Sequence, residues 1–151
     1  MNVFTLLKAD HKKVSAIFEK LEPTTERGVK TREELFATLK EELEVHSSIE
    51  EKFLYPALEK ADETHDIALE AIEEHAVVKG LLAELEELAV DDETWGAKLK
   101  VLQENVEHHV EEEEGEMFKK AKQVLSEEEQ EALGARMERA KEKQLAQKKA
   151  A

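Results

Sequence analysis

The stretch HSSIEEKFLYP, His46–Pro56, decides how this chain is read. Working outward from it, Leu39, Leu43, His46, Glu50 and Phe53 recur at helical spacing and share one stripe, the face that should meet a core. A histidine and a carboxylate in such a stripe carry a desolvation penalty unless a partner compensates it. The stretch therefore predicts a helix whose buried face expects a charged partner.

Other stripes flank it. The first runs Phe4, Leu7, His11, Val14, Phe18, Leu21 and stops at Pro23, where PTTERG reads as a loop. The second helix is expected from about Thr31, with Glu34 completing a capping box, to about Lys60, with Pro56 kinking or ending it. After ADETHD a third stripe carries Ala68, Ile72, His75, Val78, Leu82 and Leu85. A fourth carries Leu99, Leu102, Val106, His109, Glu113 and Glu116, flanked by Met117 and Phe118. Ser126 with Glu129 opens a fifth segment whose basic end, KEKQLAQKKAA, is expected to fray. Four long helices with short connections predict an all-α, up-down four-helix bundle over 1–125, with 126–151 as an appended C-terminal helix and tail.

Composition agrees with helices and excludes several functions. Of 151 residues, five are Gly and two Pro, and 39% are charged. The formal net charge of −15 argues against nucleic acid and anionic membranes, both of which need a basic face. Without cysteine there is no disulfide, thiolate ligand or thiol nucleophile. No apolar run approaches spanning length, and MNVFTLLKADHKK lacks the pattern of a signal peptide, so a cytoplasmic location is expected.

The chain also repeats itself. DHKKVSAIFEKLE from Asp10 aligns with EHAVVKGLLAELE from Glu74, and HSSIEEKFLY from His46 aligns with HVEEEEGEMF from His109. The alignment pairs His11 with His75, Glu50 with Glu113 and Glu51 with Glu114. Each half thus supplies one lone histidine and one His-x-x-x-Glu pair. Side chains four apart share a helix face, so each pair aims an imidazole and a carboxylate at one spot. His11, His46, Glu50, His75, His109 and Glu113 are the expected cluster. Six nitrogen and oxygen donors in two matched halves suit a dinuclear site better than a single zinc. Imidazole with carboxylate and no thiolate suits iron, with manganese or zinc as substitutes.

These residues and the text around them resemble the hemerythrin family, specifically the bacterial HHE-type hemerythrin-like proteins, across roughly residues 1–140. The resemblance implies that His11 and His46 bind one iron and His75 and His109 the other. Glu50 and Glu113 would bridge the pair with an oxo or hydroxo group. Oxygen-carrying members use a further histidine one turn from the third-helix ligand, where this chain has Ala71 and Lys79. The implied function is binding of oxygen or nitric oxide for sensing, storage or protection. The alternative is a redox enzyme decomposing hydrogen peroxide or nitric oxide. The expected partner is that small molecule, with no nucleic acid or membrane, and the chain a monomer or weak homo-oligomer.

The remaining polar residues read more plainly. His65 and His108 are expected at the surface, and the run EEEEGE from Glu111 mostly as a solvated face. Glu116 has a smaller claim to support the site, Tyr55 is expected chiefly to pack, with a hydrogen bond near the metals as its alternative, and Trp95 to fill one end of the bundle.

Overall fold

In a computed structural model describing residues 1–150, the chain is all helical. The four rods of the bundle are α1 (Val3–Leu21), α2 (Val29–Ile49) continuing into α3 (Tyr55–Glu59), α4 (Asp62–Glu87), and α5 (Glu93–Glu112) continuing into α6 (Phe118–Val124). The appended helix α7 (Glu127–Ala150) packs on α1 and α2.

Helix ends follow local chemistry in most places. Asn2 caps α1 by accepting from the N–H groups of Phe4 and Thr5, and Asp92 caps α5 by accepting from Thr94 N–H. The capping box before α7 is formed reciprocally, between Ser126 N–H and Glu129 Oε1 and between Glu129 N–H and Ser126 Oγ, at 3.1 Å each. Two expected starts are corrected. Helix α2 begins at Val29 behind Gly28 with no side-chain cap, so Thr31 and Glu34 make no capping box. Helix α4 begins at Asp62, taking in the ETHD expected outside it.

The C-terminal segment is helical to Ala150. Leu133 and Met137 enter the core, Gln144 donates to Ser48 Oγ, and Lys148 pairs with Glu44. Gly134 lies so close to the N-terminal backbone that a Cβ there would sit 2.8 Å from Asn2 C and Val3 N. Only glycine permits that approach.

Two π-helical turns interrupt the long rods, at Glu50–Leu54 and Glu113–Met117. Both begin on the glutamate of a His-x-x-x-Glu pair. Only the first is followed by a proline, so Pro56 is not their common cause. A π turn inserts one residue into the helical register and rotates everything after it. That rotation corrects one stripe assignment and weakens another. Met117 and Phe118 are buried while Glu116 is exposed, and Leu54 and Tyr55 are fully buried while Phe53 packs only partly buried against the core.

The core is split by a polar layer. One apolar cluster gathers Phe4, Leu7, Leu54, Tyr55, Phe118 and Met137 at the end covered by α7. The other gathers Phe18, Leu39, Leu43, Leu82, Trp95 and Leu102 at the opposite end. Trp95 is fully buried there, edge-on to Phe36 and beneath the Arg32 guanidinium. Between the clusters lie all six repeat-related histidines and glutamates.

Candidate metal centre

Each of the six expected donors is buried: exposures run from 0% for Glu50 and 1% for Glu113 to 8% for His11. The helices bring them into two trios, His11–His46–Glu113 and Glu50–His75–His109, each with its potential ligand atoms within 4.8 Å of one another. All four histidines turn Nε2 inward. Glu113 reaches both halves, with Oε1 3.1 Å from His11 Nε2 and Oε2 3.2 Å from His109 Nε2. Glu50 does so with one oxygen, Oε1 lying 3.1 Å from His46 Nε2 and 3.2 Å from His75 Nε2.

The opposite ring nitrogens reveal four residues that the sequence reading left unassigned. His11 Nδ1 lies 2.6 Å from Glu114, His46 Nδ1 3.0 Å from Asp10, His75 Nδ1 3.0 Å from Glu51, and His109 Nδ1 2.7 Å from Glu74. A carboxylate that accepts a hydrogen bond from Nδ1–H keeps the proton on that nitrogen and leaves the Nε2 lone pair for the interior, the tautomer a metal ligand needs. The signal was in the repeat, since Asp10 precedes His11 as Glu74 precedes His75, and Glu51 follows Glu50 as Glu114 follows Glu113. Neighbours in sequence do not share a helix face. Each therefore reaches a histidine on an adjoining helix rather than the site's centre.

Electrostatics favour the charged form of several groups in this layer. Burial opposes ionisation of Asp10, but His46 and Lys141 outweigh it and keep the carboxyl below its usual range. Burial likewise opposes ionisation of Glu51, overcome by His75 and Lys79. The hydrogen bond from His109 lowers Glu74. Among the inward groups, burial disfavours a charged His46, yet Glu50 and Asp10 raise it well above normal. Burial disfavours a charged His109 too, and its contacts with Glu113 and Glu74 raise it to about 10. Glu113 is held well below its range against burial by Glu50, His109 and His11.

The arrangement is incomplete as protein alone. His46 Nε2 and both oxygens of Glu50 are buried without a hydrogen-bond partner. His75 Nε2 and His109 Nε2 face each other at 3.2 Å. Buried polar atoms ordinarily find partners, and opposed imidazole nitrogens need a proton or cation between them. The donor set fits metal ions of borderline character, iron included.

The remaining candidates fall elsewhere. Tyr55 packs as expected, but its hydroxyl also donates to Glu113 Oε2 at 2.8 Å and lies 3.1 Å from His75 Nε2. Glu116 points outward and pairs with Lys120. His108 is exposed and pairs with Glu112, and His65 is exposed with Nδ1 at the Glu59 carbonyl. Ala71 is buried in the core, and Lys79 is exposed against Glu51. Among the described residues no helix is long and apolar enough to cross a membrane.

The profile of the hemerythrin HHE cation binding domain matches residues 2–121. A crystal structure of a hemerythrin HHE cation binding domain-containing protein from Mycobacterium kansasii superposes with a TM-score of 0.84 at 26% identity, covering 95% of this chain and 87% of that one. A curated relative, a DNA nickase from Nostoc, is 26% identical over 143 residues; the match takes in 95% of this chain but only 40% of the nickase.

Proposed function

This chain belongs to the hemerythrin HHE cation-binding domain family, and we propose that it holds two iron ions between the six donors and binds a small diatomic ligand there. His11 and His46 would hold one ion and His75 and His109 the other, with Glu50 and Glu113 within reach of both halves. Manganese or zinc are the substitutes that this donor set would accept. The observation that carries the reading is the convergence of four Nε2 atoms and two carboxylates in which His46 Nε2 and both Glu50 oxygens are buried without a well-formed hydrogen bond, although His46 Nε2 and Glu50 Oε1 lie 3.1 Å apart.

Bound there, the ions would supply Lewis acidity and one-electron chemistry toward oxygen, nitric oxide or peroxide. The chain's own residues prepare the site. Asp10, Glu51, Glu74 and Glu114 fix each imidazole with Nδ1–H outward. Val14, Leu43, Val78 and Val106 wall the space beside the histidines with apolar surface and keep bulk water out. Burial and the nearby Glu50 and Glu113 charges hold the Tyr55 phenol well above its usual range, so it keeps its proton and donates to Glu113.

The role that follows is oxygen or nitric oxide binding for storage, sensing or protection. A second reading, decomposition of peroxide or nitric oxide, is favoured by the Tyr55 hydroxyl, which holds a proton at the edge of the donor set. DNA nicking is not part of this reading. The Nostoc relative is much the longer protein, and a formal net charge of −15 opposes a phosphate backbone.

Elemental analysis tests the site: two metal ions per chain are expected. His46→Ala and His109→Ala should each lose most of that metal, while His65→Ala keeps it; equal retention in all three would sink the assignment. Mixing the reduced protein with oxygen and then with peroxide separates the roles. A reversible adduct supports the binding protein, and gas evolution with recovery of the site supports the enzyme.

A further inference from the structure

The two halves of the site are shut off from solvent in different ways. Outside His75, Lys79 Nζ lies 3.0 and 3.1 Å from the two oxygens of Glu51, with Lys52 beside it in sequence. The repeat-equivalents of Lys79 and Lys52 are Ser15 and Gly115. Neither can stand in front of Glu114 and His11 as Lys79 stands before Glu51. A side chain at Gly115 would meet nothing within 4 Å, so the space is open.

At that place a groove of about 610 Å³ runs between α1 and α5. Its floor is His11, Val14, Phe18, Val106 and Val110, and Glu107, Glu111 and Glu114 stand along it. Behind His11, Val14, Val106 and Val110 lies an inner chamber of about 30 Å³, which His46, His75 and His109 also line. That volume takes one water-sized molecule. His46, whose buried Nε2 makes no well-formed hydrogen bond, is among the residues that line this inner space.

We infer that the α1–α5 groove is the entrance to the site, and that it admits small uncharged molecules while turning away anions. The inference rests on the proposed ligand-binding role and specifies the ligand class and the route. Three carboxylates at one mouth, on a chain of formal net charge −15, lower the local concentration of anions. The valine wall behind them adds a desolvation barrier that a charged species meets in full, hydrogen peroxide meets in part through its hydroxyl groups, and oxygen or nitric oxide largely avoids. The ligand then reaches the His11–His46–Glu113 half first.

Ser15→Lys tests the route, because it places opposite Glu114 the cation that Lys79 places opposite Glu51. In iron-loaded protein with unchanged iron content, the nitric oxide association rate should fall about tenfold as the mouth closes. The double variant Glu107→Gln, Glu111→Gln should raise the azide association rate severalfold, an effect that shrinks in high salt, while leaving nitric oxide within about twofold. Xenon needs no iron: in the protein as purified it should shift the methyl resonances of Val14 and Val106, with slower exchange in Ser15→Lys. An unchanged nitric oxide rate in Ser15→Lys, azide indifferent to the two glutamates, or methyls unmoved by xenon each overturn the inference. Failure to load iron would instead strike the proposed function, and xenon would still report on the groove.

Discussion

The half-site of His11, His46 and Glu113 and the half-site of Glu50, His75 and His109 share donors, orienting carboxylates and a π turn, yet differ in what surrounds them. Tyr55 sits against His75 with its hydroxyl on Glu113, whereas its repeat-equivalent Phe118 stacks near His11 and offers no donor. Lys79 covers one side and Ser15 leaves the other open. Lys141 from α7 pairs with Asp10, while the equivalent Glu74 is joined instead by His108 and Glu112. The repeat thus gives both halves the same donor arrangement, while the residues around it make two unlike environments.

The largest expected effect treats the halves alike. His109 has a usual value of 6.5 and about 10 in the folded, metal-free protein, and His46 in the other half is raised well above normal. A raised folded value means that the stabilisation is complete below about pH 6.5 and lost as pH climbs toward 10. Metal-free protein should therefore lose on the order of a few kcal/mol between those limits, measured by urea unfolding. Metal affinity should move the other way, rising with pH as protons cease to compete for Nε2. Stability that is flat across this range would break the ion-paired picture of both halves.

Next come the orienting carboxylates. Asp10→Asn and Glu74→Gln should each weaken metal binding about 10–100-fold, read by competition with a chelator. The loss should fall on one ion of the pair in each variant, His46's for Asp10 and His109's for Glu74. Equal loss of both ions from either variant would show that the halves are not separable.

A smaller change exploits the tyrosine. Tyr55→Phe removes a buried donor from Glu113 and should destabilise metal-free protein by about 1–3 kcal/mol. Phe118→Tyr places the mirrored hydroxyl toward Glu50, whose oxygens lack partners, and should stabilise it by about 1 kcal/mol. Urea midpoints moving in opposite directions would sharpen the comparison; the same direction in both would break it. The smallest effect is expected from Lys141→Met, which keeps the packing of α7 but removes the cation from Asp10. Metal affinity should fall only several-fold, in the His46 half alone.

Much of this was legible beforehand because helix periodicity and an internal repeat are local, countable signals. The six donors stood out as polar residues in apolar stripes, twice over in matching order. Glu116 was misplaced, and Phe53 set deeper than it lies, because a π turn leaves no mark in composition. It shifts the register by one residue after Glu50 and after Glu113, and a constant 3.6-residue period cannot anticipate that. The four orienting carboxylates were in plain view beside the ligands, but a residue next to a buried one faces another direction. Which helix it meets there is not encoded locally.

The amino-acid order by itself determined a helical bundle with two repeated donor sets in its interior, because burial of apolar stripes forces those faces together. Only the tertiary structure decided which carboxylate holds which imidazole, which flank is covered by Lys79 or by α7, and where the groove opens. Those are contacts between helices distant in the chain, set by how the rods pack rather than by the spacing within any one of them.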